Sequence, residues 1–173
     1  MKNRTVTFLI CMFFLQLTVS GQARVDTVNR SNFKHSIGFT AGETTGTGLS
    51  YRLCPDRFGV QGTLGLEIDR MATQFSTGVA FLYKIIKAGK TNFFIFQGNN
   101  VNYVKFPPDF SINTKVYANI GAGLGVEVII LKRISLNVMG GYAYLGDSHT
   151  HPDFGESNTR FGLTGALGLF YMF

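Results

Sequence analysis

The sequence predicts an all-β fold: an eight-stranded antiparallel up-and-down transmembrane β-barrel, preceded by a cleavable signal peptide. Three observations carry this. First, residues 160–173 alternate, with Phe161, Leu163, Leu167, Leu169, Tyr171 and Phe173 on one parity and Arg160, Gly162, Thr164, Ala166 and Gly168 on the other. A strand sends alternate side chains to opposite faces, so one face is apolar and the other small or polar. The stretch also exceeds the about 5–6 residues usual in a globular sheet. Second, seven more candidate strands lie upstream, all but the fifth with the same alternation. Third, the charged residues of the clear strands share the parity opposite the apolar stripe.

The ends bound the rest. Lys2 and Arg4 precede a mostly apolar run from Val6 to Val19, followed by the small residues Ser20, Gly21 and Ala23. This is the layout of a secretory signal, with cleavage expected after Ala23. Residues 1–23 are therefore assigned to the signal, 24–34 to a polar periplasmic leader, and 35–173 to the barrel. The mature chain has the length of one domain. Without Lys2 and Arg4 the 16 basic residues fall to 14 against 10 acidic ones, a net charge of +4. These charges are scattered with no basic cluster, so nucleic-acid binding is not indicated. Cys54 alone remains after cleavage, which excludes an intrachain disulfide framework. Gly supplies 21 of 173 residues, with 17 Phe, 7 Tyr and no Trp, and no helical period follows the signal, as an all-β chain requires.

The strands are expected in order as follows. Strand one covers residues 35–42, with Ile37, Phe39 and Ala41 on the apolar face. Strand two, 45–54, sets Leu49, Tyr51 and Leu53 against Ser50 and Arg52, and Pro55-Asp56-Arg57 turns the chain. Strand three, 58–69, sets Phe58, Val60, Leu64, Leu66 and Ile68 against Gln61, Thr63, Glu67 and Asp69. Strand four, 74–86, sets Phe75, Val79, Phe81, Tyr83 and Ile85 against Ser76, Ala80 and Lys84. Strand five, 91–104, is apolar on both parities at Phe93, Phe94, Ile95 and Phe96, and Gly98-Asn99-Asn100 suggests a bulge. Strand six, 115–130, alternates cleanly, Val116 to Val128 against Lys115, Tyr117, Asn119 and Glu127. Strand seven covers 134–145, and strand eight is the stretch already described. Connections near Asp56, Ala88 and Lys132 are short, and those near Met71, Pro108 and Pro152 longer. Short periplasmic turns with longer outer loops give that alternation, which puts both mature termini in the periplasm.

Parity assigns the faces. Lipid cannot solvate a charge, so Arg52, Glu67, Lys84, Lys115, Glu127 and Arg160 are expected to point inward as a lumen charge network of both signs. A soluble lipocalin-like barrel would reverse the faces: its interior would be filled by Phe, Tyr and Leu, and its exterior would be poor in charge for a surface in water. Aromatics near both strand ends, such as Tyr83, Tyr171 and Phe173 against Tyr142, Tyr144 and Phe161, match the interfacial girdles of a membrane barrel, although aromatics favour strands generally.

The last residues, Gly168-Leu169-Phe170-Tyr171-Met172-Phe173, resemble the assembly signal of bacterial outer-membrane barrels, in which Gly168, Tyr171 and Phe173 hold the matching positions. Leu167 stands where that signal usually has a polar residue. In architecture the mature chain resembles the small eight-stranded outer-membrane barrels of the OmpA/OmpX type in Gram-negative bacteria. That resemblance implies outer-membrane lipid as surroundings and insertion by the barrel-assembly machinery. It implies no single activity.

The residues themselves point to a non-enzymatic protein with a structural or surface-interaction role in the envelope, and to no catalytic residue and no cofactor. His149 and His151, with Asp147 and Asp153, carry metal-ligand chemistry, but a polar surface loop accounts for them as well. Ser148 beside them leaves open a lipid-modifying outer-membrane enzyme. Phe106, Phe110 and Phe154 in the outer loops leave open an envelope protein partner, as for an accessory subunit of a secretion complex.

Overall fold

A computed structural model of the protein describes residues 34–69, 72–107, 114–149 and 157–173. The signal peptide and all of the leader but Lys34 lie outside these residues. Eight strands are present: β1 (His35–Gly42), β2 (Gly48–Leu53), β3 (Phe58–Ile68), β4 (Thr73–Ala88), β5 (Thr91–Lys105), β6 (Thr114–Leu131), β7 (Ile134–His149) and β8 (Ser157–Met172). Each pairs antiparallel with the next, and β1 pairs with β8, so the sheet closes into a barrel. Closure pairs each strand on both sides along the span that β1 and β2 reach, as hydrocarbon surroundings require.

The closure is staggered. The line of register from Phe39 runs through Leu49, Leu64, Thr77, Val101, Ala118 and Gly146 to Thr159 on β8, whereas Phe39 itself faces Leu169. That offset tilts the strands, by roughly 35–45° in barrels of this kind. It also lifts β4–β8 well beyond the ends of β1 and β2.

Alternation sorts the faces as lipid would. Leu66, Ile68, Phe161 and Leu163 on the outside are 67%, 74%, 72% and 74% exposed, a continuous apolar wall that water would not tolerate at this extent. Inside, Thr40, Ser50, Arg52, Gln61, Asn100, Glu127 and Asn137 are buried. This polar-in, apolar-out arrangement is the inverse of a lipocalin, and the soluble-barrel alternative fails on it.

Three details depart from the sequence reading. Glycine and asparagine at residues 98–100 make no bulge: β5 pairs without interruption there. The register shifts lie instead at Lys84/Ile86 and Ile129/Leu131, near the short turns. Each extra residue lets two consecutive apolar side chains, Ile85 with Ile86 and Ile130 with Leu131, face outward. The doubly apolar start of β5 has a different cause. Phe93 and Ile95 face out, while Phe94 and Phe96 join Leu82, Met139 and Ala166 in a buried apolar cluster. The mainly polar lumen therefore also holds one apolar cluster, where a polar filling was expected, because a narrow lumen must be filled and hydrocarbon fills it without needing partners. Finally, β2 begins at Gly48, not near Thr45, because the preceding loop leaves the wall.

Candidate functional site

The lumen holds three features, stacked from the short-turn end to the long-loop end. The first is an ionic node. Arg52 near the end of β2, Lys84 near the end of β4 and Glu127 near the end of β6 share one parity, and the stagger brings them to one depth. Arg52 Nη1 lies 3.1 Å from Glu127 Oε1, and Lys84 Nζ 3.4 Å from Glu127 Oε2. Asn92 Nδ2 donates to Oε2 at 2.8 Å and Ser135 Oγ to Oε1 at 3.3 Å. Arg52 spends its other donors on Gln61 Oε1, at 3.2 Å from Nε and 2.7 Å from Nη2, and on Asn137 Oδ1 at 3.3 Å. Its guanidinium lies 4.2 Å from the centre of the Phe170 ring. A planar guanidinium suits this combination of forked bonds and stacking, which lysine could not reproduce.

The second feature is a plug. The loop of residues 43–47, of which the sequence reading gave 45–47 to strand two, folds back into the barrel. Thr44, Thr45 and Gly46 are buried. Asn100 Nδ2 and Asn119 Nδ2 donate to the Glu43 carbonyl at 3.0 and 2.9 Å, and Ser76 Oγ accepts from Thr47 N at 3.1 Å. Space for the loop comes from inward glycines. A Cβ on Gly98 would sit 2.7 Å from the Thr44 carbonyl oxygen, and one on Gly121 2.7 Å from the Thr44 methyl. Gly78 packs against the Thr45 carbonyl in the same way. Gly46 adopts φ 82°, which only glycine takes readily.

The third feature is a cavity of about 730 Å³ at the long-loop end, lined by Glu43, Gln74, Asn102, Tyr117, Asn119 and Arg160 among others. Its floor is the plug.

The six residues assigned to the lumen by sequence therefore separate. Arg52, Lys84 and Glu127 form the node. Glu67 is exposed and lines a smaller cavity at the rim with Gln74 and Thr47. Lys115 is half-buried and Arg160 exposed, both toward the long-loop end. Shared parity put them together in the sequence reading, but depth separates them. Gln61, Asn92, Ser135 and Asn137 complete the node and were not singled out, since neutral inward residues carry no signal beyond parity. Cys54 is a buried free thiol whose Sγ lies 3.7 Å from the Asp56 carbonyl.

At the seam, Phe173 N donates to the His35 carbonyl at 2.9 Å, and the Phe173 ring stacks on His35 with centroids 6.0 Å apart. Tyr171 faces outward, and its hydroxyl accepts from Arg133 Nη1 at 2.9 Å. Gly168 faces inward beneath the Phe170 ring, where a Cβ would lie 2.7 Å from it. His149 ends β7 opposite Lys115 in register. Its side chain, and His151, Asp153, Phe110 and Phe154 entirely, lie outside the described residues. Among the described residues no group of three or more His, Cys, Asp or Glu could hold a metal.

No family model matches the sequence, and no curated protein does. The solved structures to which the chain is similar include these two. One is the crystal structure of Neisserial surface protein A (NspA), at 13% identity over 80% of this chain and 94% of that chain, with a TM-score of 0.49. The other is the NMR solution structure of the E. coli outer membrane protein W, at 13% identity over 82% of this chain and 98% of that chain, with a TM-score of 0.46.

Proposed function

We propose that this protein is a plugged, non-conducting barrel of the bacterial outer membrane, with a non-enzymatic structural or surface-contact role in the envelope. The observation that carries this reading is the double obstruction of the lumen. The node around Arg52 and Glu127 fills the short-turn end, and the loop of residues 43–47 crosses the lumen between the node and the outer cavity. A transport route would have to displace both. In this reading the short turns, His35 and Phe173 face the periplasm, and the cavity bounded by Glu43, Tyr117 and Arg160 faces the outside, where an envelope partner or a polar surface ligand would meet it. Gly168, Tyr171 and Phe173 present the last strand to the barrel-assembly machinery.

Two measurements test the proposal together. In planar bilayers the refolded protein should give no stable stepwise conductance. In intact cells, an Arg160→Cys variant should react with a membrane-impermeant maleimide. Reproducible channels would overturn the plugged reading, and labelling only after the outer membrane is broken would overturn the orientation.

A further inference from the structure

The long strands β4 to β8 all line the cavity beyond the plug: Gln74 from β4, Asn102 from β5, Tyr117 and Asn119 from β6, Leu145 from β7 and Arg160 from β8. Asn102 faces Tyr117 across β5 and β6, and Asn119, Leu145 and Arg160 lie on one register line. Glu43 belongs to the floor. Asn100 and Asn119 hold its carbonyl at 3.0 and 2.9 Å, which fixes where its side chain starts.

The ionic node satisfies its carboxylate with its own neighbours. The cavity does the opposite. Among the described residues, the side chains of Gln74, Asn102, Tyr117 and Arg160 and the Glu43 carboxylate make no hydrogen bond or ion pair. Asn102 Oδ1 is a fully buried acceptor with no donor among those residues. A buried acceptor left unpaired is costly, so the lining suits something that brings donors with it.

The lining also selects the chemistry of that ligand. Its charged residues are Glu43 and Arg160, one of each sign. Farther out, Glu67, Gln74, Val104 and Lys115 share a register line, again with one charge of each sign. A phosphate would be opposed by the glutamates and an amine by Arg160 and Lys115. An acyl chain would leave Asn102, Gln74 and Arg160 without partners. A hydroxyl both donates and accepts, and the lining offers both roles. Arg160 and the carboxamide N–H groups donate; the Glu43 carboxylate, Asn102 Oδ1 and Gln74 Oε1 accept. Val104, Leu145 and the Tyr117 ring add apolar surface for C–H groups. The volume of about 730 Å³ falls within the range of about 300–1,000 Å³ of small-molecule sites.

We infer that this cavity binds a neutral mono- or disaccharide, whose hydroxyls take up the free groups of Asn102, Gln74, Arg160 and Glu43. Most of these groups stand on paired strands, so they are held in place before the ligand arrives. Sugar hydroxyls also reproduce the hydrogen bonds of the water they displace. The inference deepens the surface-contact role proposed above and rests on that reading.

The test uses the mature protein refolded into phosphatidylcholine vesicles, which carry no sugar, with glucose, galactose, mannose, maltose and lactose as probes. Saturation-transfer NMR should show ring protons of at least one probe in contact with the protein. Asn102→Leu and Arg160→Leu should each raise its dissociation constant at least about tenfold, while the barrel keeps its heat-sensitive gel mobility. Gln74→Leu, at a half-buried position, serves if Asn102→Leu folds poorly. A free sugar and the end of a longer glycan share this chemistry. The sugar that binds, coupled to a soluble polymer through its anomeric carbon, separates them: retained binding assigns a glycan end, and lost binding a free sugar. No contact with any probe, contact unchanged by the variants, or tighter binding of inorganic phosphate than of every sugar would each overturn the inference. Protein that does not float with the vesicles would instead overturn the membrane reading, before any sugar is added.

Discussion

Replacing Glu127 with leucine tests the ionic node directly. Its carboxylate takes four contacts, from Arg52, Ser135, Asn92 and Lys84. The side chains of Arg52 and Glu127 are 4% and 6% exposed, and that of Lys84 18%. Removing one member of a buried pair leaves the other charge desolvated and uncompensated, at a cost of about 3–5 kcal/mol. Arg52 keeps Gln61, Asn137 and the Phe170 face, and Lys84 can lean toward water, which puts the expected loss near the lower figure. Guanidinium unfolding from lipid vesicles would measure it, followed by tyrosine fluorescence, since the chain has no Trp, and by unheated gel mobility. Adding Arg52→Met should recover part of the loss, because a neutral apolar pair leaves no stranded charge. Glu67→Leu shares the parity but sits exposed at the rim, so it should change stability by no more than about 0.5 kcal/mol. A loss below about 1 kcal/mol for Glu127→Leu, or equal losses for the two glutamates, would refute the claim that depth makes the node costly to break.

Other expectations follow from the same geometry. Unboiled protein should run faster than boiled protein on a gel, as a closed sheet resists detergent; recovery as soluble periplasmic protein would contradict this. Phe173→Asp should reduce the assembled fraction in cells more than it lowers the unfolding midpoint of whatever assembles, because Phe173 closes the seam on His35; undiminished yield would count against the assembly role. Gly98→Leu should expel the plug, since its side chain would occupy the place of the Thr44 carbonyl; a maleimide reacting equally slowly with Thr45→Cys in both backgrounds would show the loop still buried. Cys54 should resist alkylation in the folded barrel and react once guanidinium unfolds it; rapid reaction in the native state would mean that the short-turn end opens.

The closed barrel was legible in the sequence because it follows from two local facts, the period of two along a strand and the inability of hydrocarbon to hold a charge. Those facts placed Leu163 and Phe161 outside and Arg52 and Glu127 inside with no knowledge of neighbours. They could not rank inward residues by depth. Glu67 and Glu127 look equivalent along the chain, and only the stagger of the closed sheet carries Glu127 to Arg52, 75 residues away, while leaving Glu67 at the rim. Nor could they show the infolded loop. Residues 45–47 continue the alternation of strand two along the chain, and the burial of the loop of residues 43–47 depends on room left by Gly78, Gly98 and Gly121 on three other strands. Phe94 and Phe96 were ambiguous for a related reason: an apolar residue satisfies lipid and a packed lumen equally well, so alternation loses its meaning where both faces are apolar. Facing is a property of each strand, whereas depth, pairing and the filling of the lumen exist only once all eight strands have met.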